Sequence, residues 1–433
     1  MTVRDQTPFT ECFAATRLIV QGMAPYEGAS APDLQTRLRY EESNLGFKYL
    51  IDLRQHLLNH HVDIGPGLKS LPSHHLLEVT SGTVAGITTG LIRRFSDVAF
   101  VEPDVELGLS APFVPDLPQF AMYKAGVLPP AAAHAVGRGI RIAVVDSGAE
   151  PSSGIAGFRD LADLQNANRP GGPMHLDRCG HGTSMVAIIK TIAPAADVYM
   201  VRVCKDSVKL KLWDLHSAIS TAALELNADI VSLSLGCTDL GGPCMVCGGT
   251  GPSRSASLES YIQAIHLGVR SGRPVFVAAA GNANPKITNS GINGFDWPAC
   301  YEAVIAVGAV RHAPFPRAYS RSSFSKIAPL IKASRRYVMC PGGETQTGQA
   351  ERVGAVTYLD STGINTVPIT GTSPATAFAS AILACYDEYA TAAGTKITGD
   401  ALLSLAFNDC KRDLWPSYQE REHGMGRLVF DPP

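Results

Sequence analysis

From Gly139 onward, short apolar runs recur along the chain, each closed by a polar or glycine turn and parted from the next by a stretch of helical period. Ile140 to Val145 is the first run, and Asp197 to Val203, Asp229 to Leu235, Pro274 to Ala280 and Val304 to Val310 follow. Helices are expected after His181, over Leu215 to Leu226, from about Ser257 to Ser271, and over Asp400 to Asn408. Apolar strands alternating with helices predict an α/β fold whose mainly parallel central sheet is covered by helices on both faces. Ahead of Gly139 the pattern is different. Thr16 to Gln21, His75 to Thr80 and Val98 to Leu107 read as strands, Lys48 to Asn59 and Gly86 to Phe95 as amphipathic helices. That order suggests a small α+β domain over residues 1–110. Pro112, Pro115 and Pro118 mark 111–120 as an extended linker, which leaves 121–433 as the large domain.

Composition narrows this little further. With 433 residues, 45% of them hydrophobic, the chain can bury one large core and carry a smaller attached unit. A net charge of -2 from 37 basic and 39 acidic residues gives no reason to expect nucleic acid or an anionic membrane as partner. No apolar run is long enough to span a bilayer. Met1 to Ala15 carries Arg4, Asp5 and Glu11 and lacks the apolar centre of a signal peptide, so a cytoplasmic location is expected. In that compartment the ten cysteines would be reduced.

Four residues carry candidate chemistry, each on a short turn flanked by small residues. Gly371 to Ser380 reads Gly-Thr-Ser-Pro-Ala-Thr-Ala-Phe-Ala-Ser, which delivers Ser373 to the first turn of a slim, alanine-rich helix. Pro374 suits that turn, where no N–H donor is needed, and the helix N-terminus favours negative charge developing on the serine. Asp146 closes the first apolar run in Ala-Val-Val-Asp-Ser-Gly, His181 stands between two glycines, and Asn282 follows Ala-Ala-Ala-Gly. Singly these are a helix cap, a turn aspartate, a structural histidine and a turn asparagine. Together they supply a nucleophile (Ser373), a general base (His181), a carboxylate to fix the imidazole tautomer (Asp146), and an oxyanion donor (Asn282).

These residues bring the chain close to a known family. Val-Val-Asp-Ser-Gly, Gly-His-Gly-Thr and Gly-Thr-Ser-x-Ala-Thr, in the order Asp, His, Ser, resemble the motifs of the subtilisin-like serine proteases, the subtilases. Ile192 to Asp197, Val231 to Gly236, Val277 to Asn282 and Trp297 to Val310 resemble further family segments, so that the likeness runs from about Gly139 to Phe430. It implies a subtilisin-like three-layer fold and a serine endopeptidase acting on peptide or protein substrates through an acyl-enzyme on Ser373. Ser234, Leu235, Gly236, Ala279 and Gly281 would lie along the substrate. Pro374 and Ala377 stand where subtilases usually have Met and Pro, a departure that leaves the catalytic groups intact. The chain runs straight on between His181 and Ala193, without the loop that holds calcium in many relatives, so no calcium is expected there.

The same resemblance extends to details. Phe95 to Leu107 is similar to the closing strand of the inhibitor-type propeptide that assists subtilase folding, which makes the N-terminal domain an expected intramolecular chaperone and inhibitor, released by a cut between Pro112 and Phe120. Asp296, just before Trp297-Pro298, would lie near the floor of the primary pocket and favour Arg or Lys before the cut. Cys237, Cys244 and Cys247, with Cys179 as the candidate fourth ligand, could hold zinc or form a reducible bridge; plain thiols are the expectation, with no cofactor required. Two rivals remain in view: a precursor-processing protease that also ligates, and an inactive binding module with the same fold.

Overall fold

A computed structural model describes residues 17–25, 34–60, 62, 71–104, 106–109, 135–150, 153–162, 177, 180–204, 209–236, 255–268, 272–283, 294–312, 319–328, 336–344, 354–360, 363–392, 396–412 and 418–432. The N-terminal unit contains β1 (Arg17–Pro25), α1 (Leu34–Leu45), β2 (Phe47–Asp52), α2 (Leu53–Asn59), β3 (Pro72–Val79), α3 (Val84–Arg94) and β4 (Val98–Pro103). Its four strands form an antiparallel sheet in the order β2-β3-β1-β4. Alternate positions on β1 and β3 divide between the two faces of this sheet. Leu18, Val20 and Leu77 pack with Leu38 of α1 and Leu91 of α3 in a core of their own. Ile19 and Leu76 belong instead to the large core of the rest of the chain.

Here the sequence reading needs two corrections. Lys48 to Asn59, expected as one helix, is strand β2 followed by helix α2. Phe47 and Tyr49 alternate inward with the period of a strand, and Asp52 then caps α2 by accepting from Gln55 N at 2.9 Å. The strand expected over Val98 to Leu107 is broken into β4 and β5 (Glu106–Leu109). Asp104 intervenes, its carboxylate accepting from Trp213 N at 2.9 Å and pairing with Arg17.

The large unit continues with β6 (Arg141–Asp146), β7 (Gly157–Asp160), α4 (His181–Ile192), β8 (Asp197–Arg202), β9 (Lys209–Lys211) and α5 (Leu212–Ser220), which runs into a π-turn over Thr221–Glu225. Next come β10 (Ile230–Leu233), β11 (Leu235–Gly236), α6 (Ala256–Gly268), β12 (Val275–Ala279), β13 (Val304–His312), β14 (Tyr319–Arg321) and β15 (Tyr337–Pro341). The hairpin strands β16 (Gly354–Asp360) and β17 (Gly363–Ile369) precede α7 (Thr372–Ala392), α8 (Gly399–Asn408) and α9 (Glu420–His423). Strands β14-β13-β12-β10-β6-β8-β7, with β15 beside β13, form an eight-stranded sheet that is parallel except at β14. Near-continuous apolar strands such as β12, buried at every position, are what a sheet covered on both faces demands. Helix α7 packs against α4, α8 and strands β10, β12, β13 and β15. Ala375, Ala377, Ala379, Ala381 and Ala384 are wholly buried, and their small side chains permit that close approach. No described helix is long and apolar enough to cross a membrane.

The N-terminal sheet docks on α5 and α6 through polar groups as well as apolar ones. Glu102 accepts from Ser255 Oγ at 2.5 Å, from Ala256 N at 3.1 Å and from the Ser257 hydroxyl, at the start of α6, while Asp104 serves the first turn of α5. Both carboxylates therefore meet the positive end of a helix. Gln21 Nε2 donates to Ser260 Oγ at 3.0 Å, and the His74 ring lies against His216 and Tyr261, with centroids 4.9 and 4.7 Å away. Finally β5 lies between β11 and β9 as the middle strand of a three-stranded sheet, antiparallel to both.

Candidate active site

Strand β6 reverses the order of the sheet, with β8 on one side and β10 on the other, so a crevice opens beyond its carboxyl end. Asp146 is the last residue of β6 and is fully buried. Its Oδ1 accepts from Ser147 N at 2.7 Å and from His181 Nδ1 at 2.7 Å. An ionised carboxylate can only accept, so Nδ1 carries the proton and, in the neutral ring, Nε2 presents its lone pair. Nε2 is buried and has no hydrogen-bond partner among the described residues.

Glycines place the histidine. Gly180 caps α4 at φ 70°, and a side chain at Gly182 would overlap the carbonyl oxygen of Gly148 and crowd the Asp146 Cβ. Asp177, which the sequence reading passed over, anchors the same turn. It accepts from Gly180 N (2.9 Å), Thr183 N (2.8 Å), Thr183 Oγ1 (2.7 Å) and Ser147 Oγ (2.8 Å), and it is fully buried. The signal was present, an acidic residue four positions before a Gly-His-Gly helix start, but its caps form only once the chain has folded back on Ser147. Burial is the largest influence on the His181 imidazole and lowers its pKa. The charge and hydrogen bond of Asp146, with the charge of Asp177, outweigh it and leave the ring more basic than an ordinary histidine.

Ser373 enters from the other side of the crevice. Gly371, at φ 137°, makes the turn that β-carbons resist, and its N–H donates to Gly342 O at 2.8 Å. Ser373 then sits buried in the first turn of α7 and donates Oγ–H to Ser234 O at 3.1 Å; Ser234 Oγ returns a bond to Ser373 O at 3.1 Å. Parallel β10 and β6 are in register with Ser232 opposite Val144, so Ser234 lies level with Asp146 two residues further on. The serine is thus tied to the chain that follows β10, the neighbour of β6, and the Ser373–His181 hydrogen bond is not made in this structure. Such catalytic bonds are often loose until substrate arrives.

Asn282 joins the same cluster. Its Oδ1 accepts from Thr372 N at 3.0 Å and from Thr372 Oγ1 at 3.1 Å, which ties it to the residue before Ser373 and turns its amide nitrogen to the other side. Gly281 N also donates to Thr372 Oγ1, at 3.2 Å. Ser234 stands between β10 and β11, Leu235 and Gly236 form β11, and Ala279 and Gly281 lie at and just beyond the end of β12. Asp296 is buried between them, but its Oδ1 already receives Lys326 Nζ at 2.6 Å. The sequence reading had offered this carboxylate to a substrate cation and had not noticed the lysine, which lies 30 positions away along the chain.

Cys179, Cys237, Cys244 and Cys247 lie outside the described residues, as does the expected cut between Pro112 and Phe120. Among the described residues no disulfide joins Cys204, Cys300, Cys340, Cys385 or Cys410.

Comparison with known proteins extends the geometry. Residues 137–408 match the model of the Subtilase family, Peptidase_S8. The chain is 29% identical over 252 residues to a thermostable alkaline protease of Halalkalibacterium halodurans, covering 55% of this chain and 54% of that protein. It is 28% identical over 216 residues to subtilisin DY of Bacillus licheniformis, covering 48% of this chain and 65% of that one. The chain therefore spans about half to two thirds of the length of these relatives. Among solved structures, fervidolysin from Fervidobacterium pennivorans, a keratinolytic enzyme related to subtilisin, superposes with a TM-score of 0.63 at 15% identity, over 96% of this chain and 60% of that one. At that identity the likeness speaks for the fold.

Proposed function

The chain belongs to the subtilase family, and from that premise we propose that it is a serine endopeptidase that cleaves peptide bonds through an acyl-enzyme on Ser373. The observation that carries this reading is the 2.7 Å bond from His181 Nδ1 to Asp146, which leaves Nε2 as an unpartnered base beside the crevice into which Ser373 is set. In this reading Ser373 Oγ–H leaves Ser234 O and donates to Nε2. The imidazole takes that proton as Oγ attacks the scissile carbonyl, and Asp146 stabilises the cation formed. The oxyanion is received by the amide N–H of Asn282 and the backbone N–H of Ser373, both at the positive end of α7. His181 then returns the proton to the leaving amine, and water releases the acyl group by the same steps in reverse.

The substrate binds as an added strand on β11, with the end of β12 on the other side. That edge is already in use: β5 pairs antiparallel with β11, Leu109 opposite Leu235 and Gly108 opposite Gly236. We read the N-terminal unit accordingly as an intramolecular inhibitor, seated by the helix caps of Glu102 and Asp104 and blocking the substrate edge with β5. The paired geometry supports a role as folding template too, since β5 supplies the strand that joins β9 to β11.

Intact-mass analysis of wild type beside Ser373→Ala, with fluorophosphonate labelling of both, tests the whole reading. Wild type should label once and shorten by self-cleavage, and the variant should do neither. A wild type that neither labels nor cuts any peptide would return the chain to the class of binding modules.

A further inference from the structure

The two backbones that flank Ser373 leave a slot whose floor neither of them supplies. Gly236 ends β11 on one side; Gly281 follows β12 on the other, at φ 104°. A Cβ built on Gly236 would stand 3.0 Å from the Asp296 Cβ. One built on Gly281 would overlap the Asp296 carboxylate and stand 3.0 Å from Lys326 Cδ. Both glycines therefore face Asp296, and Gly281 faces Lys326 as well. That pair is fastened to the slot by its own backbone: Asp296 N donates to Ala280 O at 2.9 Å and Lys326 N to Gly281 O at 3.1 Å. The charges meet at 2.6 Å, and the residues are 4% and 3% exposed.

We propose that Lys326 is a specificity-determining residue: by holding Asp296 in a buried ion pair on the floor of this slot, it confines the residue before the scissile bond to small, uncharged side chains of the alanine and serine class. The proposal rests on the endopeptidase reading above. An incoming Arg or Lys finds the carboxylate already matched, and must either displace the Lys326 ammonium or lie beside it. A substrate carboxylate finds the lysine equally matched. In both cases a charge would leave water for a floor with no net counter-charge. A bulky apolar side chain is disfavoured for a different reason, since the Asp296 carboxylate stands where even a Cβ on Gly281 would overlap it. The chain's own strand on this edge, β5, is followed directly in sequence by Ser110 and Ala111, both small and uncharged.

The test is a set of peptides identical except for Ala, Ser, Leu, Phe, Arg, Lys or Glu before the cut. They are given to the full chain, to Lys326→Met, and to a variant carrying Lys326→Met with Asp296→Asn, each normalised by fluorophosphonate titration of reactive serines. Wild type should prefer Ala and Ser over Arg, Phe and Glu by at least about tenfold in kcat/KM. Lys326→Met removes the ammonium paired with that carboxylate and should raise the Arg-to-Ala ratio by about 100-fold, and the paired variant should return that ratio toward wild type. A wild type that cuts after Arg or Phe as well as after Ala overturns the proposal, even if neither variant folds. So does a titratable Lys326→Met with an unchanged ratio. A protein that cannot be titrated and cuts nothing fails the endopeptidase reading instead.

Discussion

Helix α7 carries the contrast that best explains the molecule. Its first turn bears Ser373, and Asp387 and Glu388 lie about 21 Å along the axis at its other end. At that far end every charge is matched. Asp387 binds Arg273 through two bonds of 2.5 and 2.7 Å, and Arg273 also reaches Ile397 O. Glu388 Oε2 collects the N–H groups of Val136, Gly137 and Arg138 at 2.6, 2.7 and 3.0 Å. At the Ser373 end, His181 Nε2 has no partner among the described residues and the serine hydroxyl rests on a backbone carbonyl. One end of the helix has its bonds completed by folding, while the other leaves a histidine nitrogen without a partner among the described residues. Fold and activity should therefore fail separately.

The largest expected effect is chemical. Ser373→Ala should lower kcat by about 10⁶-fold, with an unfolding midpoint indistinguishable from wild type; appreciable turnover in that variant would show that the open end of α7 is not the reactive one. Asp387→Ala should do the reverse. It removes the two-bond partner of the buried Arg273 guanidinium, which keeps Asp229 at 3.7 Å, and should cost about 3 kcal/mol of stability, read by denaturant unfolding, while kcat per titrated serine stays near wild type. A large loss of kcat in the folded fraction would mean the two ends are coupled. Asn282→Ala should reduce kcat by about 10²–10³-fold with little change in KM.

The fourth expectation is the pH profile. His181 must be neutral to act as base and its pKa is raised, so kcat/KM should climb with pH through a midpoint above the ordinary histidine value, by about tenfold per unit on the acid limb. Asp146→Asn should remove that upward displacement along with most of the activity.

The smallest effect is at the docked N-terminal sheet. Burial depresses His216 to about 4 and His56 to about 3, and burial together with the His216 and His75 charges lowers His74 well below the ordinary histidine value, with Tyr261 close by. Undocked, these rings would titrate near 6.5, so between about pH 6.5 and 4 the undocked state binds more protons and docking weakens as pH falls. Glu102 and Asp214 are raised by burial and take up protons on acidification, Asp214 at about 6, which offsets part of this. Hydrogen exchange at the Trp213 and Ala256 amides, corrected for intrinsic rate, should therefore quicken modestly from pH 7 to 5, and His216→Gln should flatten the change.

Some of this was legible in the sequence, for identifiable reasons. The five apolar runs of the large unit became β6, β8, β10–β11, β12 and β13, because strands buried on both faces need an unbroken apolar run that a reader can see. Asp146, His181, Asn282 and Ser373 were visible as glycine-flanked polar residues. The N-terminal unit was harder. Helix α1 was missed because only Leu34 and Leu38 of its twelve residues are buried, and β2 was taken for helix because Phe47 and Tyr49 make too short an alternation. The hairpin of β16 and β17 and the strand β15 were not anticipated either.

The sequence by itself settled which chemical groups are present and on what kind of turn each is delivered, since small residues and apolar periods are local properties. Only the tertiary structure decided what those groups meet. The bond from His181 to Asp146 spans 35 positions, Asp177 braces the turn, Ser234 holds the serine across 139, and Lys326 claims the carboxylate that a sequence reader would leave to the substrate. A charge has no function until its neighbours are known, because a partner 2.6 Å away in a buried site decides whether it attracts a ligand or merely completes the fold.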